Sequence, residues 1–361
     1  MAVLPCRLFS KVHVLLVTGL LALSLQSGAL AAYDARWVEV PNSTYNGRGL
    51  PAIVYDPILD RIVMYGGGMW LLGQDTQPTF YCSNQILEFK SGDWREISLW
   101  NTPSALIRPR VNANSCYDAS QDRIIIAGGT AGASYQDTWS IEGDGVQKVN
   151  ESFPSGNDGK ALFFNTIRNS CCYVHETGRV YELKNEQWGA LSHSLPDWGV
   201  GAAHYLFGFA SSYDPTTGIL VIFGGESNFP PPPLVLVSDT FIFDTNTNTW
   251  TKVSPVTHPS ARYYSRMVYV PSRNRHILVG GEDLSGVASN QVWEFDDAAL
   301  SWRQLSIENP SGRTYHQIVY DNKNSKLYSI GGYDQDSQYY TSIYELQFIT
   351  PTAVKSWKQY E

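Results

Sequence analysis

Runs of three to five apolar residues lead repeatedly into a pair of glycines along this chain. They read Ile62-Val63-Met64-Tyr65-Gly66-Gly67, Ile124-Ile125-Ile126-Ala127-Gly128-Gly129 and Leu220-Val221-Ile222-Phe223-Gly224-Gly225, then Ile277-Leu278-Val279-Gly280-Gly281 and Leu327-Tyr328-Ser329-Ile330-Gly331-Gly332. The first glycines are spaced 62, 96, 56 and 51 residues apart, so the 96-residue gap holds two units. Its hidden copy is Phe163 to Val174, with His175-Glu176 standing where the glycines would be. A fixed period of this length is the mark of a repeat architecture.

Each unit carries further shared parts. Ahead of the apolar run lies a second apolar segment ending in an aromatic and usually Asp, as in Val54-Tyr55-Asp56, Cys116-Tyr117-Asp118, Ser212-Tyr213-Asp214 and Val319-Tyr320-Asp321. A short polar turn such as Pro215-Thr216-Thr217-Gly218 joins the two, which predicts a hairpin. After the glycines and a loop comes an aromatic-bearing strand, a turn, and a strand with Trp. The pairs are Phe89 and Trp94, Tyr181 and Trp188, Phe243 and Trp250, Phe295 and Trp302. The second unit has Val146-Gln147 at the Trp position. Each unit therefore predicts four antiparallel strands in about 50 residues.

One such sheet cannot bury both faces alone, so neighbours must stack face to face about an axis. The second strand is apolar at nearly every position because it is covered on both sides. The outer Trp fills the wedge that widens away from the axis. The apolar strand, the Gly pair, the spaced aromatic and the Trp together resemble the kelch-repeat β-propeller family. The resemblance implies an all-β fold, a six-bladed kelch-type propeller of four-stranded antiparallel blades over residues 33–361. Trp37-Val38-Glu39-Val40 resembles the Trp strand that ends a unit and is expected to close the last blade, with Trp357-Lys358-Gln359 as its rival.

Residues 1–32 read as a signal peptide rather than an uncleaved anchor. Arg7 and Lys11 precede a 14-residue apolar run, and Ala29-Leu30-Ala31 supplies a small-x-small cleavage pattern. The run is shorter than the roughly 20 residues of a membrane span. A secreted or periplasmic protein with no membrane span after cleavage is expected. Its removal leaves 24 Lys+Arg against 34 Asp+Glu, a net charge of −10, which disfavours nucleic acid as a partner. Charged residues are only 17% of the chain and aromatics 13%, which excludes a disordered chain or a coiled coil. A monomer is expected.

Four cysteines follow the leader: Cys82, Cys116, Cys171 and Cys172. An oxidising compartment allows them to pair, and Cys116 with one of the adjacent Cys171 and Cys172 is easier than a strained vicinal bond. No C-x-x-C spacing suggests a zinc site, and no cofactor is expected. The sequons at Asn42 and Asn150 are short motifs relevant only to a eukaryotic host.

Antiparallel order places the loops after the second strands and the unit-to-unit connections on one face. All the length variation is there, in 68–84, 192–209 and 226–238, while the opposite face holds short hairpins. Long loops on a rigid scaffold are the expected binding face. Arg48, Arg110, Arg262 and Arg313 recur at the same position ahead of the strand-end aromatic. They are candidates to clamp a carboxylate, or else to brace their own turns. Exposed aromatics at Trp70, Tyr81 and Phe229 are candidates to stack on a sugar or a partner. Glu226, Glu282 and His316 are candidate acid/base groups, or ordinary polar residues of the rim.

The resemblance also implies enzymes to weigh. A galactose-oxidase-like copper site would need two His and two Tyr with a Tyr–Cys crosslink, for which only Tyr81 and Cys82 offer themselves. A sialic acid mutarotase-like activity would need an acid/base pair and an Arg, which Glu226, Glu282, His316 and the arginines supply. The iron-ligand spacing of specifier proteins is not found. The expected function is a binding module for a carbohydrate or protein partner on the long-loop face.

Overall fold

The computed structural model describes residues 33–41, 47–72, 78–97, 107–154, 161–191, 196, 205–227, 235–308, 312–333 and 340–349, with backbone only at 70–72 and 78–80. The leader, Trp357, Phe229, the Trp70 side chain and the Asn42 sequon lie outside the described residues. Within them every regular element is a strand, and no helix is long and apolar enough to cross a membrane.

Each of the first five sequence units forms one four-stranded antiparallel sheet, and the sixth supplies three strands to a five-stranded one. The first sheet is Ala52–Asp56, Arg61–Tyr65, Ile86–Lys90 and Asp93–Glu96. The second is Asn114–Asp118, Arg123–Ala127, Thr138–Glu142 and Gly145–Asn150. The third, from the unit without glycines, is Ala161–Asn165, Ser170–Val174, Val180–Lys184 and Gln187–Ala190. The fourth is Ala210–Asp214, Ile219–Phe223, Thr240–Asp244 and Thr249–Val253. The fifth is Arg266–Val270, Arg275–Val279, Val292–Asp296 and Ser301–Leu305. The sixth takes Gln317–Asp321, Lys326–Ile330 and Ile343–Phe348 from its own unit. Its next strand is Ala35–Val40, which pairs antiparallel with Ile343–Phe348 and sets Trp37 opposite Leu346, and the short strand Ile307–Glu308 lies parallel to the start of Ala35–Val40 as the fifth.

The first strands are neighbours in chain order, and Gln317–Asp321 lies beside Ala52–Asp56. The second strands are buried along almost their whole length, as their uninterrupted apolar runs require. The outer tryptophans reach back to the preceding sheet. Trp302 Nε1 donates to Thr240 Oγ1 at 2.9 Å, Trp188 Nε1 to Thr138 Oγ1 at 2.9 Å, and Trp250 Nε1 to the Gly178 carbonyl at 3.1 Å.

All three segments expected as loops contain strands. Gly68–Leu72 pairs with Pro78–Cys82, and Glu226–Ser227 pairs with both Leu206–Phe207 and Val235–Leu236. Long excursions satisfy their backbone groups by pairing with themselves and with the adjoining connection.

Candidate functional site

The faces divide as antiparallel order demands. The residue after each recurrent arginine bridges the residue after its own glycine pair: Gly49 with Gly68, Val111 with Thr130, Tyr263 with Glu282, Thr314 with Tyr333. One residue further on, Leu50, Asn112, Tyr264 and Tyr315 all adopt the left-handed conformation, with φ between 52° and 59°.

The four arginines are buried, each 3% exposed or less. Each donates Nη1 to the carbonyl of the first glycine of its own sheet, at 3.2 Å for Arg48 to Gly66, 2.8 Å for Arg110 to Gly128, 3.2 Å for Arg262 to Gly280 and 3.3 Å for Arg313 to Gly331. Their own carbonyls accept from the second glycine of the preceding sheet, Gly67 to Arg110, Gly225 to Arg262, Gly281 to Arg313 and Gly332 to Arg48. The guanidinium groups thus point into separate turns and form no shared clamp. Arg110 is neutralised by Asp137. Among the described residues Arg262 donates to the neutral acceptors Ser260, Gly280, Ser289 and Gln291, and burial pulls its pKa down to about 10.

His316 is also internal. It is fully buried, neither ring nitrogen has a hydrogen-bond partner among the described residues, and burial followed by the charges of Arg266 and Arg313 holds its pKa well below the ordinary value. It is removed from the rim and from any acid/base exchange with solvent, because its ring is packed beneath the Gly280 turn. The Asn150 side chain is likewise buried, donating to the Glu186 carbonyl at 3.0 Å.

What the fold does bring together is a group of tyrosines. Tyr264 stacks on Tyr315 with ring centres 4.1 Å apart, Tyr315 stacks on Tyr333 at 4.8 Å, and Tyr263 tilts against Tyr264 at 4.7 Å. All four are partly exposed. Glu282 is buried against them. Burial raises its carboxyl pKa, and hydrogen bonds from Tyr263 and Tyr315 act in the opposite direction. Tyr263 feels both Glu282 and Glu226, so those two candidate acids share the neighbourhood, and burial is the main cause of its raised pKa. Beside the stack opens a pocket of about 600 Å³, walled by Arg262, Glu282, Asp283, Ser289, Gln291 and Tyr340. Rings, hydroxyls and carboxyls in this arrangement suit a hydroxyl-bearing or basic surface, since aromatic faces stack and carboxyls accept.

Tyr81 is exposed on the extra hairpin, with Cys82 half-buried beside it. The hairpin face also has a depression, of about 400 Å³, ringed by Tyr55, Tyr117, Phe164, Tyr213, Tyr269 and Tyr320. Several of these hydroxyls are spent on turns, Tyr55 on Asp60, Tyr117 on Asp122 and Tyr269 on Asn274.

No single local motif marked the tyrosine stack. Its signal is the αL position two residues after each recurrent arginine, occupied by tyrosine in two successive units.

Stacked antiparallel sheets, latched at four of their junctions by an arginine and a glycine pair, define a protein of the β-propeller class. Residues 233–361 match the family model described as the Attractin/LZTR1 β-propeller. A domain of this class suggests a protein-interaction module.

Proposed function

We propose that the chain is an exported, six-bladed, kelch-type propeller that binds a protein or carbohydrate partner on its long-loop face. The blade count rests on six sequence units, on the neighbour order of the first strands and on the Gly332–Arg48 hydrogen bond. Pairing of Ala35–Val40 with Ile343–Phe348 supports closure by the N-terminal strand. Export to a secreted or periplasmic location rests on the leader pattern of residues 1–32. The protein acts as a monomer without a nucleic-acid partner.

The observation that carries the binding reading is the Tyr264–Tyr315–Tyr333 stack beside the pocket. Tyrosine gives a large amphipathic contact area with few rotors to freeze, which suits an interface. A sugar-modifying, mutarotase-like activity is the second reading, favoured by the raised carboxyl pKa of Glu282 at the pocket wall.

The test uses Tyr264→Asn and Tyr315→Asn, because Asn112 holds the same αL position in the second sheet. Binding to a glycan array and to basic peptides is measured, together with sugar mutarotation. The binding module requires affinity that falls at least tenfold in both variants, with no turnover. Turnover lost in Glu282→Gln selects the enzyme. Binding indifferent to both tyrosines ends the site assignment.

A further inference from the structure

Cys171 and Cys172 are adjacent on one strand, so their side chains leave opposite faces of the third sheet. Cys172 packs with Phe209, Leu220 and Phe241 toward the fourth sheet. Cys171 packs with Cys116 and Ile125 of the second sheet. Strands Asn114–Asp118 and Ser170–Val174 lie side by side. The two sulfurs, both on buried residues, are 2.8 Å apart, within about 0.8 Å of bonding distance. Cys82 ends the strand Pro78–Cys82, is half-buried, and is not among the residues of this buried cluster.

We propose that Cys116 and Cys171 form a disulfide that joins the second and third sheets when the chain folds in the presence of a thiol oxidant, leaving Cys82 and Cys172 as thiols. The chemistry is dithiol–disulfide exchange. One cysteine, as thiolate, attacks the disulfide of an oxidant such as oxidised glutathione and releases one thiol of the oxidant. The second cysteine, after losing its proton, attacks the mixed disulfide and releases the other. Two electrons pass from the protein sulfurs to the oxidant, whose two sulfurs leave as thiols. Burial pushes the Cys171 thiol far above its ordinary pKa, so the bond forms while the sheets are docking and not in the finished fold.

That the chain meets an oxidant in the cell rests on the export reading, so the experiment has two arms. Full-length reduced protein is refolded in glutathione buffers of graded potential, acid-quenched, alkylated and digested without reductant. Mass spectrometry is expected to find the Cys116 peptide bonded to the Cys171 peptide, with Cys82 and Cys172 alkylated. The crosslink persists in Cys82→Ser and in Cys172→Ser. Reductant lowers the urea midpoint of the wild type and leaves that of the Cys116→Ser/Cys171→Ser double variant unmoved. Alkylation of both Cys116 and Cys171 at every potential overturns the proposal, as does a bond from Cys116 to Cys172. The second arm maps protein taken from its own cells. A crosslink in the glutathione arm that is missing there retires export and leaves the pairing intact.

Discussion

The amide of Gly332 donates to the carbonyl oxygen of Arg48 at 3.0 Å, tying the glycine pair of the sixth sheet to the connection that enters the first. The same bond recurs at Gly67–Arg110, Gly225–Arg262 and Gly281–Arg313. Each arginine therefore holds two sheets, its own through the guanidinium and the preceding one through its backbone. The arginine and the glycine pair are two halves of one latch. That is why guanidinium groups lie buried where a ligand clamp was an open reading.

The latches differ in charge, and this sets the first prediction. Removing the Arg110 side chain strands the Asp137 carboxylate, whose pKa the arginine holds down against the opposing effect of burial. Breaking one side of a buried pair costs about 3–5 kcal/mol. Arg262 pairs with no acid among the described residues, so its loss orphans neutral acceptors at about 1–3 kcal/mol. Urea denaturation of Arg110→Met and Arg262→Met is expected to show the larger fall in midpoint for Arg110→Met. The reverse order would mean that the carboxylate is not what matters.

Glycine at the latch is required twice over. Gly280 has φ +66°, and a Cβ there would sit 2.3 Å from the Arg313 carbonyl oxygen. Gly143 has a similar φ of +59° but open space around it. Gly143→Ala therefore measures the backbone term alone, about 1–2 kcal/mol. Gly280→Ala must exceed that by the cost of separating two sheets. Equal losses in thermal or urea unfolding would refute the crowding argument.

Most of this fold was legible because its signals are local and repeated. The doublets, the hairpin turns and the Trp strands each recur at fixed offsets, so even the third unit could be placed without its glycines. The site was less legible. Arg48 and its counterparts are open in the sequence between clamping a carboxylate and bracing their own turns, and only the sheet-to-sheet geometry decides for the turns. Tyr264, Tyr315 and Tyr333 come from two connections and one post-glycine position, and they meet only because consecutive sheets are neighbours. His316 looked like a rim residue because it follows a connection, yet the chain there has already turned into the first strand of the sixth sheet.

Acid should destabilise the protein through His316. Its folded-state pKa is depressed, so the folded form stays neutral while the unfolded chain takes up a proton below about pH 6.5. Stability is then fully present above that pH and falls by up to about 1.4 kcal/mol per pH unit as pH drops toward the folded-state value. His175, also depressed by burial and by Arg179, adds to the same trend. Glu282 opposes it, since a raised carboxyl pKa makes the folded state the better proton binder above the ordinary glutamate range. The urea midpoint of wild type between pH 7 and 5 is expected to fall, and that of His316→Phe to fall less. A His316 NMR titration at its ordinary value would remove the premise.

The strand Ala35–Val40 offers the last prediction. It covers the outer edge of Ile343–Phe348 across six paired residues, from Ala35 opposite Phe348 to Val40 opposite Ile343. Trp37, 7% exposed, is in the buried cluster with Val279, Leu305, Leu327 and Leu346, so it packs against the fifth sheet as well as the sixth. Arg303 of the fifth sheet reaches Asp34 at 2.9 Å, fixing the start of the strand. Trp37→Ala empties a buried aromatic site and is expected to cost about 3–5 kcal/mol. Deleting residues 33–41 uncovers an unpaired edge as well, and an exposed edge invites association with another chain. The deletion variant should therefore unfold at lower urea and form oligomers on size-exclusion chromatography. Were residues 350–361 able to supply the missing strand, the deletion would stay monomeric and near wild-type stability, and Trp37→Ala would be the more damaging of the two.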